Sequence, residues 1–228
     1  MKRVTGMVIG GTRSGKSEIA EGIFTDLVGG VASKAVYVAT GPPAESTPLT
    51  EYDRVWAERI AIHRERRPSS WSTVEVGSLD ELSLLLTSLD TPVIVDSVTI
   101  LAAQLENLED MHSTQNAEPE YANAHAHAAN PVPTPVSASA PLSGIEHIEW
   151  SKGLDSLRRS LATRKQAELV TMFVADEVGL SVHPPTRVGV EFQDRAGILN
   201  STVAALCDNV WFVVAGWAIE MDRVGKLR

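Results

Sequence analysis

Apolar, largely β-branched runs alternate along the chain with segments whose apolar residues recur every three to four positions. The runs are Met7-Val8-Ile9, Ala35–Ala39, Val93-Ile94-Val95, Val170–Ala175 and Val210–Val214. They are continuous rather than alternating, the pattern of strands buried on both faces. Trp71, Thr73 and Glu75 alternate with their neighbours and read as an edge strand. The helical segments begin with Glu18 to Leu27, where Ile19, Ile23 and Leu27 share a face, and continue with Tyr52 to Arg67, charged, free of Gly and Pro, and stopped by Pro68. Ser78-Leu79-Asp80-Glu81 has the form of a capping box opening a helix over Leu82 to Leu89. A further helix carries Leu154, Leu157, Leu161 and Ala162 on one side and Arg158, Arg159 and Lys165 on the other. Arg187 to Ala205 reads as a helix pair or one helix broken at Gly197, with Val210 to Gly216 as the last buried strand and no clear pattern after it. Strands and helices in this alternation predict an α/β fold, a three-layer sandwich around a mainly parallel sheet.

The periodicity collapses between Met111 and Ser143 into Ala, Pro, Asn, Ser and His. Such a stretch holds too little apolar surface to order itself, so the expectation is one domain over residues 1–228 carrying a disordered insertion at about 112–142. His125 and His127 lie in it with no third ligand at fixed spacing, and read as solvated rather than metal-binding.

Composition narrows the class. With 228 residues, 43% of them hydrophobic, the chain can bury a substantial core. A net charge of −9 with no long basic run argues against a nucleic-acid partner, while leaving room for a small anion held by a local cluster. The single cysteine, Cys207, permits no intramolecular disulfide and reads as a small buried residue of an apolar helix in a reducing compartment. The chain runs directly into its first strand without a signal-peptide core, and no apolar stretch approaches the ~18 residues of a membrane span. The expected location is the cytoplasm.

Chemistry enters at Gly10-Gly11-Thr12-Arg13-Ser14-Gly15-Lys16-Ser17, which fits G-x-x-x-x-G-K-[ST] and lies between a strand and a helix, the context a phosphate-binding loop requires. Glycines let the backbone amides and the helix N-terminus face an anion; Lys16 then reaches the β- and γ-phosphates, and the Ser17 hydroxyl a magnesium ion. The overall expectation becomes a P-loop NTPase-like fold. Ligands of open α/β sheets sit at the carboxyl ends of strands, so Ala39, Thr40 and Gly41, which follow the second strand, are expected beside this loop. Asp96, ending the strand Val93–Val95, is the second expected magnesium ligand. Asp176 and Glu177 close another strand and read equally as a catalytic pair or a polar turn.

The segment ending at Arg67 places Arg59, His63 and Arg67 at i, i+4 and i+8 on one helix face, with Arg64 and Arg66 adjacent. Positive neighbours disfavour imidazolium, which would leave His63 neutral and nucleophilic while guanidiniums hold phosphates. The same pattern also describes a solvated basic face.

Taken together these residues resemble the bifunctional adenosylcobinamide kinase and adenosylcobinamide-phosphate guanylyltransferase family of cobalamin coenzyme assembly. The resemblance rests on the phosphate loop, on Tyr37-Val38-Ala39-Thr40, and on Arg59-Ile60 followed by His63-Arg64, Arg67-Pro68, Trp71, Thr73 and Glu75. It extends through Val95-Asp96 with Thr99, Glu177-Val178-Gly179, and Arg187 with Phe192, Asp194, Gly197 and Asn200. It implies two reactions. In the first, a nucleoside triphosphate phosphorylates the aminopropanol hydroxyl of adenosylcobinamide, served by Lys16, the loop amides, and Mg2+ with ATP or GTP. In the second, His63 takes GMP from GTP and passes it to adenosylcobinamide phosphate. Arg64, Glu65, Arg66, Arg67 and Glu75 join the nucleotide-binding set on this reading, with Glu75 holding guanine or ribose, and the protein is expected to be a homo-oligomer. Thr12, Asp176 and Gln193 depart from the family's usual alanine, asparagine and arginine, the latter two altering charge near the site. Two rivals are a P-loop kinase for another small molecule, whose arginines merely bind phosphate, and a non-enzymatic nucleotide-dependent switch.

Overall fold

The computed structural model describes residues 4–40, 61, 64–103, 144–182 and 184–222, side chains at 144–149 and 187 excepted. Seven strands form one sheet: β1 Thr5–Gly10, β2 Ala35–Ala39, β3 Trp71–Glu75, β4 Val93–Asp96, β5 Thr171–Asp176, β6 Asn209–Val214 and β7 Trp217–Met221. Their order is β3-β2-β4-β5-β1-β6-β7, all parallel except the antiparallel pair β6–β7. The continuous apolar runs of β1, β2, β4 and β5 are therefore the central parallel strands, buried on both faces, whereas in β6 only Asn209 and Val213 are buried and Val214 is exposed.

Helices cover both sides. On one face α1 (Lys16–Val28) packs Ala20 and Phe24 against Val8, Tyr37, Ile94, Met172 and Val174, and Phe24 meets the Trp71 ring edge to face at 5.2 Å. On the other, α2 (Leu79–Ser88), α3 (Gly144–Gln166) and α4 (Arg187–Leu206) bury Leu82, Leu86, Leu157, Leu161, Leu199 and Val203 over Met7, Val38, Val95 and Phe173. The period-2 alternation of each strand assigns its residues to these two layers.

Local signals set several boundaries. Ser78 accepts from the Glu81 amide at 3.1 Å and Glu81 accepts from the Gly77 amide at 2.7 Å. That capping box starts the helix at Leu79, three residues ahead of the expectation. α4 runs unbroken through Gly197, contrary to the expected break: a lone glycine lowers helix propensity by about 1 kcal/mol, which the burial of Ala196, Leu199 and Val203 outweighs. The expected last buried strand is not the last. β6 ends at Val214, the turn residues Ala215 and Gly216 take φ 50° and 82°, and β7 returns along the edge with all its residues exposed. Two positive-φ residues are what a two-residue hairpin with the strands' twist requires. Cys207 is half-buried at the C-cap of α4 rather than inside an apolar helix.

Arg164 of α3 is 1% exposed and pins this architecture. Its guanidinium donates to the Leu86, Leu89 and Thr91 carbonyls at 3.2, 2.8 and 2.7 Å and to Thr171 Oγ1 at 2.8 Å, joining the end of α2 to β5. Burial lowers its pKa to about 10, which still leaves it protonated at neutral pH. Among the described residues no helix is long and apolar enough to cross a membrane.

Candidate functional site

The loop between β1 and α1 is shaped by close approach and by backbone sign. A Cβ on Gly10 would fall 2.5 Å from the Val213 carbonyl, so only glycine passes there. Arg13 and the N-cap Gly15 take φ 58° and 91°, turning the chain so that α1 begins at Lys16 with no side chain capping its first amides. Those uncapped amides form the positive end of the helix. The loop is braced on both sides: the Glu177 amide donates to the Gly10 carbonyl at 3.0 Å and the Gly216 amide to the Ser14 carbonyl at 2.8 Å. Thr12 and Arg13 are exposed, Ser17 is half-buried, and Ser14 and Lys16 are buried.

Ser14 Oγ is buried and has no hydrogen-bond partner among the described residues. An orphaned hydroxyl beside free helix amides and a buried ammonium suits a phosphate oxygen, which would satisfy it. Lys16 Nζ pairs instead with Asp176 Oδ1 at 2.7 Å and donates to the Gly11 carbonyl at 3.4 Å. Asp176 is itself held from three directions. Ser97 Oγ donates to its Oδ2 at 3.0 Å, its amide donates to Thr99 Oγ1 at 2.8 Å, and Asn200 donates to its carbonyl at 3.0 Å. Asp176, which the sequence left open between catalytic acid and turn, thus touches the loop lysine directly. The available signal was its place at a strand end two residues before Val178-Gly179; the adjacency of β5 to β1 was not readable.

Strand order corrects one expectation. β4 and β5 stand between β2 and β1, so Ala39 and Thr40 share the carboxyl edge with the loop but are not beside it. Three strand spacings separate β2 from β1, roughly 14 Å. Thr40 is buried and donates its hydroxyl to the Ser97 carbonyl at 2.5 Å. Asp96 likewise has β5 between it and β1, and Val95 pairs with Phe173, so Asp176 lies farther out along the edge. Asp96 Oδ2 accepts from the Tyr37 hydroxyl at 2.6 Å. Burial first, and the Asp96 carboxylate second, raise the Tyr37 pKa beyond the ordinary phenol range, so Tyr37 remains a donor.

A second cluster lies at the far end of the same edge. Residues 64–66 are helical and, with Arg67 directly after them, bring three arginines to different strands and helices. Arg64 pairs with Glu75 at 3.4 Å, Arg66 with Glu21 of α1 at 3.3 Å, and Arg67 donates to Thr73 at 3.0 Å while its guanidinium carbon lies 3.4 Å from the Tyr37 ring centroid. Burial raises the Glu21 pKa even though Arg66 pulls it down. Glu65 is exposed. Register places Glu75 opposite Ala39 and Ala39 opposite Asp96, a row at the ends of three neighbouring strands. Gly41, Arg59 and His63 lie outside the described residues, as does the expected insertion with His125 and His127.

The edge can therefore hold a phosphate chain at the loop and a second anionic group around Arg64 and Glu75 at the end of β3, a strand four spacings, roughly 19 Å, from β1. Among the described residues no three His, Cys, Asp or Glu side chains gather as a metal site. Ser17 and Asp96 offer the hydroxyl and carboxylate oxygens that a hard cation prefers, and a nucleotide-bound magnesium completes its shell with phosphates and water.

Comparison with known proteins bears on this arrangement. The bifunctional adenosylcobalamin biosynthesis protein CobU of Escherichia coli is 27% identical over 216 residues, covering 94% of this chain and 98% of that protein. The bifunctional adenosylcobalamin biosynthesis protein CobP of Pseudomonas aeruginosa is 26% identical over 217 residues, 92% of each chain. A KaiC-like protein from Pyrococcus horikoshii aligns with a TM-score of 0.42 at 12% identity, covering 92% of this chain and 70% of that one. The profile of the family described as cobinamide kinase / cobinamide phosphate guanyltransferase matches residues 6–221, from the phosphate-loop strand through β7. The chain belongs to the cobinamide kinase / cobinamide phosphate guanyltransferase family of bifunctional transferases.

Proposed function

We propose that the protein phosphorylates adenosylcobinamide with a nucleoside triphosphate and then transfers GMP from GTP, through a phosphoramidate on His63, to adenosylcobinamide phosphate. One observation carries the reading: a built phosphate loop, with Lys16 buried at the N-terminus of α1, in a chain of a family that joins both activities. In the kinase step the acceptor hydroxyl oxygen attacks the γ-phosphorus, its proton departs, and the nucleoside diphosphate leaves. Lys16 and the α1 amides stabilise the charge spreading over the transferred group. Magnesium, when bound, supplies further neutralisation at Ser17 and Asp96. Lys16 must first exchange Asp176 for phosphate, so Asp176 is both its resting partner and a residue poised beside the transferred group.

In the guanylyl step a neutral His63 nitrogen attacks the α-phosphorus and pyrophosphate leaves. A phosphate oxygen of the acceptor then displaces the histidine from phosphorus, giving adenosylcobinamide-GDP. Arg64 at the end of β3 supports this placement, since it brings the residue next to His63 to the carboxyl edge beside Glu75, the candidate for guanine or ribose. The test uses α-phosphate-labelled GTP. His63→Ala and His63→Asn should lose all acid-labile, base-stable label and all adenosylcobinamide-GDP while keeping much of the kinase rate. Wild-type label on either variant, or label mapped to another residue, rejects His63. A kinase for another substrate would form no adduct even as wild type.

The expected homo-oligomer finds support in β7, whose Trp217, Ile219 and Met221 are 80%, 64% and 45% exposed on an edge strand. Such an edge favours association. Sedimentation should show an assembly that Trp217→Lys dissociates; an unchanged sedimentation coefficient assigns the contact elsewhere.

A further inference from the structure

α4 carries a glycine that its own packing does not require. Gly197 sits in the interior of Arg187–Leu206, and a Cβ built on it would meet no atom within 4 Å. A helix-interior glycine costs about 1 kcal/mol relative to alanine, and close helix packing, the usual structural return, is absent here. Gly22 of α1 is open in the same way, but Gly197 differs in lining a cavity.

That cavity has a volume of about 700 Å³ and lies between the outer face of α4 and the loop that follows β5. Asp194, Gly197, Ile198 and Ser201 form its helical wall at i, i+3, i+4 and i+7, an exposed stripe along one side of α4. Gly179 and Ser181 form the facing wall. The loop is tied down at both ends by α4. Asn200 donates to the Asp176 carbonyl at 3.0 Å, while Gln193 donates to the Val178 carbonyl at 2.7 Å and to Ser181 Oγ at 3.3 Å. The opening is thus held by hydrogen bonds and begins three residues beyond Asp176, the partner of Lys16. Ile198 of its wall is 50% exposed, and on the loop that supplies Gly179 and Ser181 the residues Leu180 and Val182 are 80% and 91% exposed.

Resting on the function proposed above, we infer that this cleft is the docking site of the corrinoid acceptor, with Gly197 kept small to admit it. The chemistry agrees on three points. A corrin is a broad apolar ring, which Ile198 of the wall and the exposed Leu180 and Val182 of the adjoining loop can cover, and burial of such surface contributes about 25 cal/mol per Å². Its fringe of primary amides needs both acceptors and donors, which Asp194 and the hydroxyls of Ser181 and Ser201 supply. The pocket is smaller than the whole corrinoid, so it takes one side of the ring and leaves the aminopropanol arm to reach over the post-β5 loop toward Lys16.

Adenosylcobinamide is coloured, so its binding is measured directly by equilibrium dialysis, without turnover. Gly197→Leu fills the open space with a residue that favours helix, so folding is preserved or improved. It should weaken corrinoid binding at least tenfold while α-phosphate-labelled GTP still labels the protein at the wild-type level. Gly197→Ala, one methyl into open space, should raise the melting temperature and weaken binding only a few-fold. Gly22→Leu, an equal enlargement at an open helical glycine outside the cleft, should bind as wild type. Wild-type corrinoid affinity in Gly197→Leu overturns the cleft, whatever the activity. Corrinoid bound by the wild type and lost in Gly197→Leu, but never phosphorylated, leaves the cleft standing and rejects the kinase reading. No corrinoid binding by the wild type rejects the cleft even if GTP labelling succeeds.

Discussion

Asp176 changes what Lys16 is doing before nucleotide arrives. A P-loop lysine is expected to await phosphate, yet here its ammonium is 2.7 Å from a carboxylate, with the lysine side chain 8% and the aspartate side chain 29% exposed. A triphosphate must therefore displace one anion to bind another, and binding is weaker than the loop alone would allow. Asp176→Asn removes that competition while keeping a side chain that can accept from Ser97, so nucleotide affinity should rise several-fold by titration. The opposite substitution on the lysine has the larger consequence. Lys16→Ala removes the charge that meets the β- and γ-phosphates and should lower the phosphorylation rate at least ~100-fold, the scale of losing one preorganised stabiliser. Normal phosphorylation by Lys16→Ala would reduce the loop to a turn. Equal nucleotide affinity in wild type and Asp176→Asn would mean that Asp176 leaves Lys16 at no cost. The motif made Lys16 legible from sequence alone, because its chemistry is local: eight consecutive residues define it. Asp176 was not legible in the same way, since its partner is 160 positions away and meets it only through the neighbouring placement of β1 and β5.

At the scale of elements, periodicity located most strands and helices and failed where local preference and packing disagree. Gly197 suggested a break in α4 because glycine weakens helices, but a helix buried along Ala196, Leu199 and Val203 is held by its contacts. β7 escaped notice although Trp217, Ile219 and Met221 alternate with Ala218 and Glu220, because the run is only five residues long and none of them is buried. Its turn nevertheless supports the site, through the Gly216 amide on the Ser14 carbonyl. Arg164 is the most consequential contact that composition hides, since in sequence it belongs to a charged helix face and in the fold it is 1% exposed. Its partners are backbone carbonyls and the Thr171 hydroxyl; carbonyls at the end of α2 accept from it, where the helix dipole favours a cation. Arg164→Ala would take the donor from the buried Leu86 carbonyl and from the part-buried Leu89 and Thr91 carbonyls, each a loss of about 1–3 kcal/mol where water does not reach, so denaturant titration should show a destabilisation of about 3 kcal/mol. Arg164→Lys keeps the charge but not the fork and should recover only part of it. Because the contact lies away from the loop, nucleotide affinity of the folded fraction should not change. A loss below ~1 kcal/mol for the alanine variant would mean that water replaces the guanidinium.

The whole molecule is arranged so that three otherwise separate places share one edge of one sheet: the phosphate loop at β1, the Asp96–Tyr37 pair on β4 and β2, and the arginines around Glu75 on β3. None of this order can be read along the chain, because strand neighbours are set by which crossovers close. None of it calls on the stretch at 112–142 either. The described chain stops at Ala103, after a 3₁₀ turn whose Val98, Leu101 and Ala102 are buried, and resumes in α3, which is anchored by Leu154, Leu157, Leu161 and Arg164. Each flank is thus secured by its own packing. The stretch at 112–142 is rich in Ala, Pro, Asn and Ser and offers little apolar surface to add. Closing a loop costs only about (3/2)RT ln n, so shortening one by thirty residues relieves entropy slightly rather than straining the ends, provided enough chain remains to span them. Joining the chain directly from residue 112 to residue 143 leaves about ten residues between Ala103 and the first turn of α3, which extended could reach roughly 33 Å. The shortened protein should melt within a few degrees of the full chain and retain GTP labelling, phosphorylation and corrinoid binding. A large fall in melting temperature would show that the stretch packs against the core, and a selective fall in corrinoid binding with labelling intact would assign it to the acceptor side.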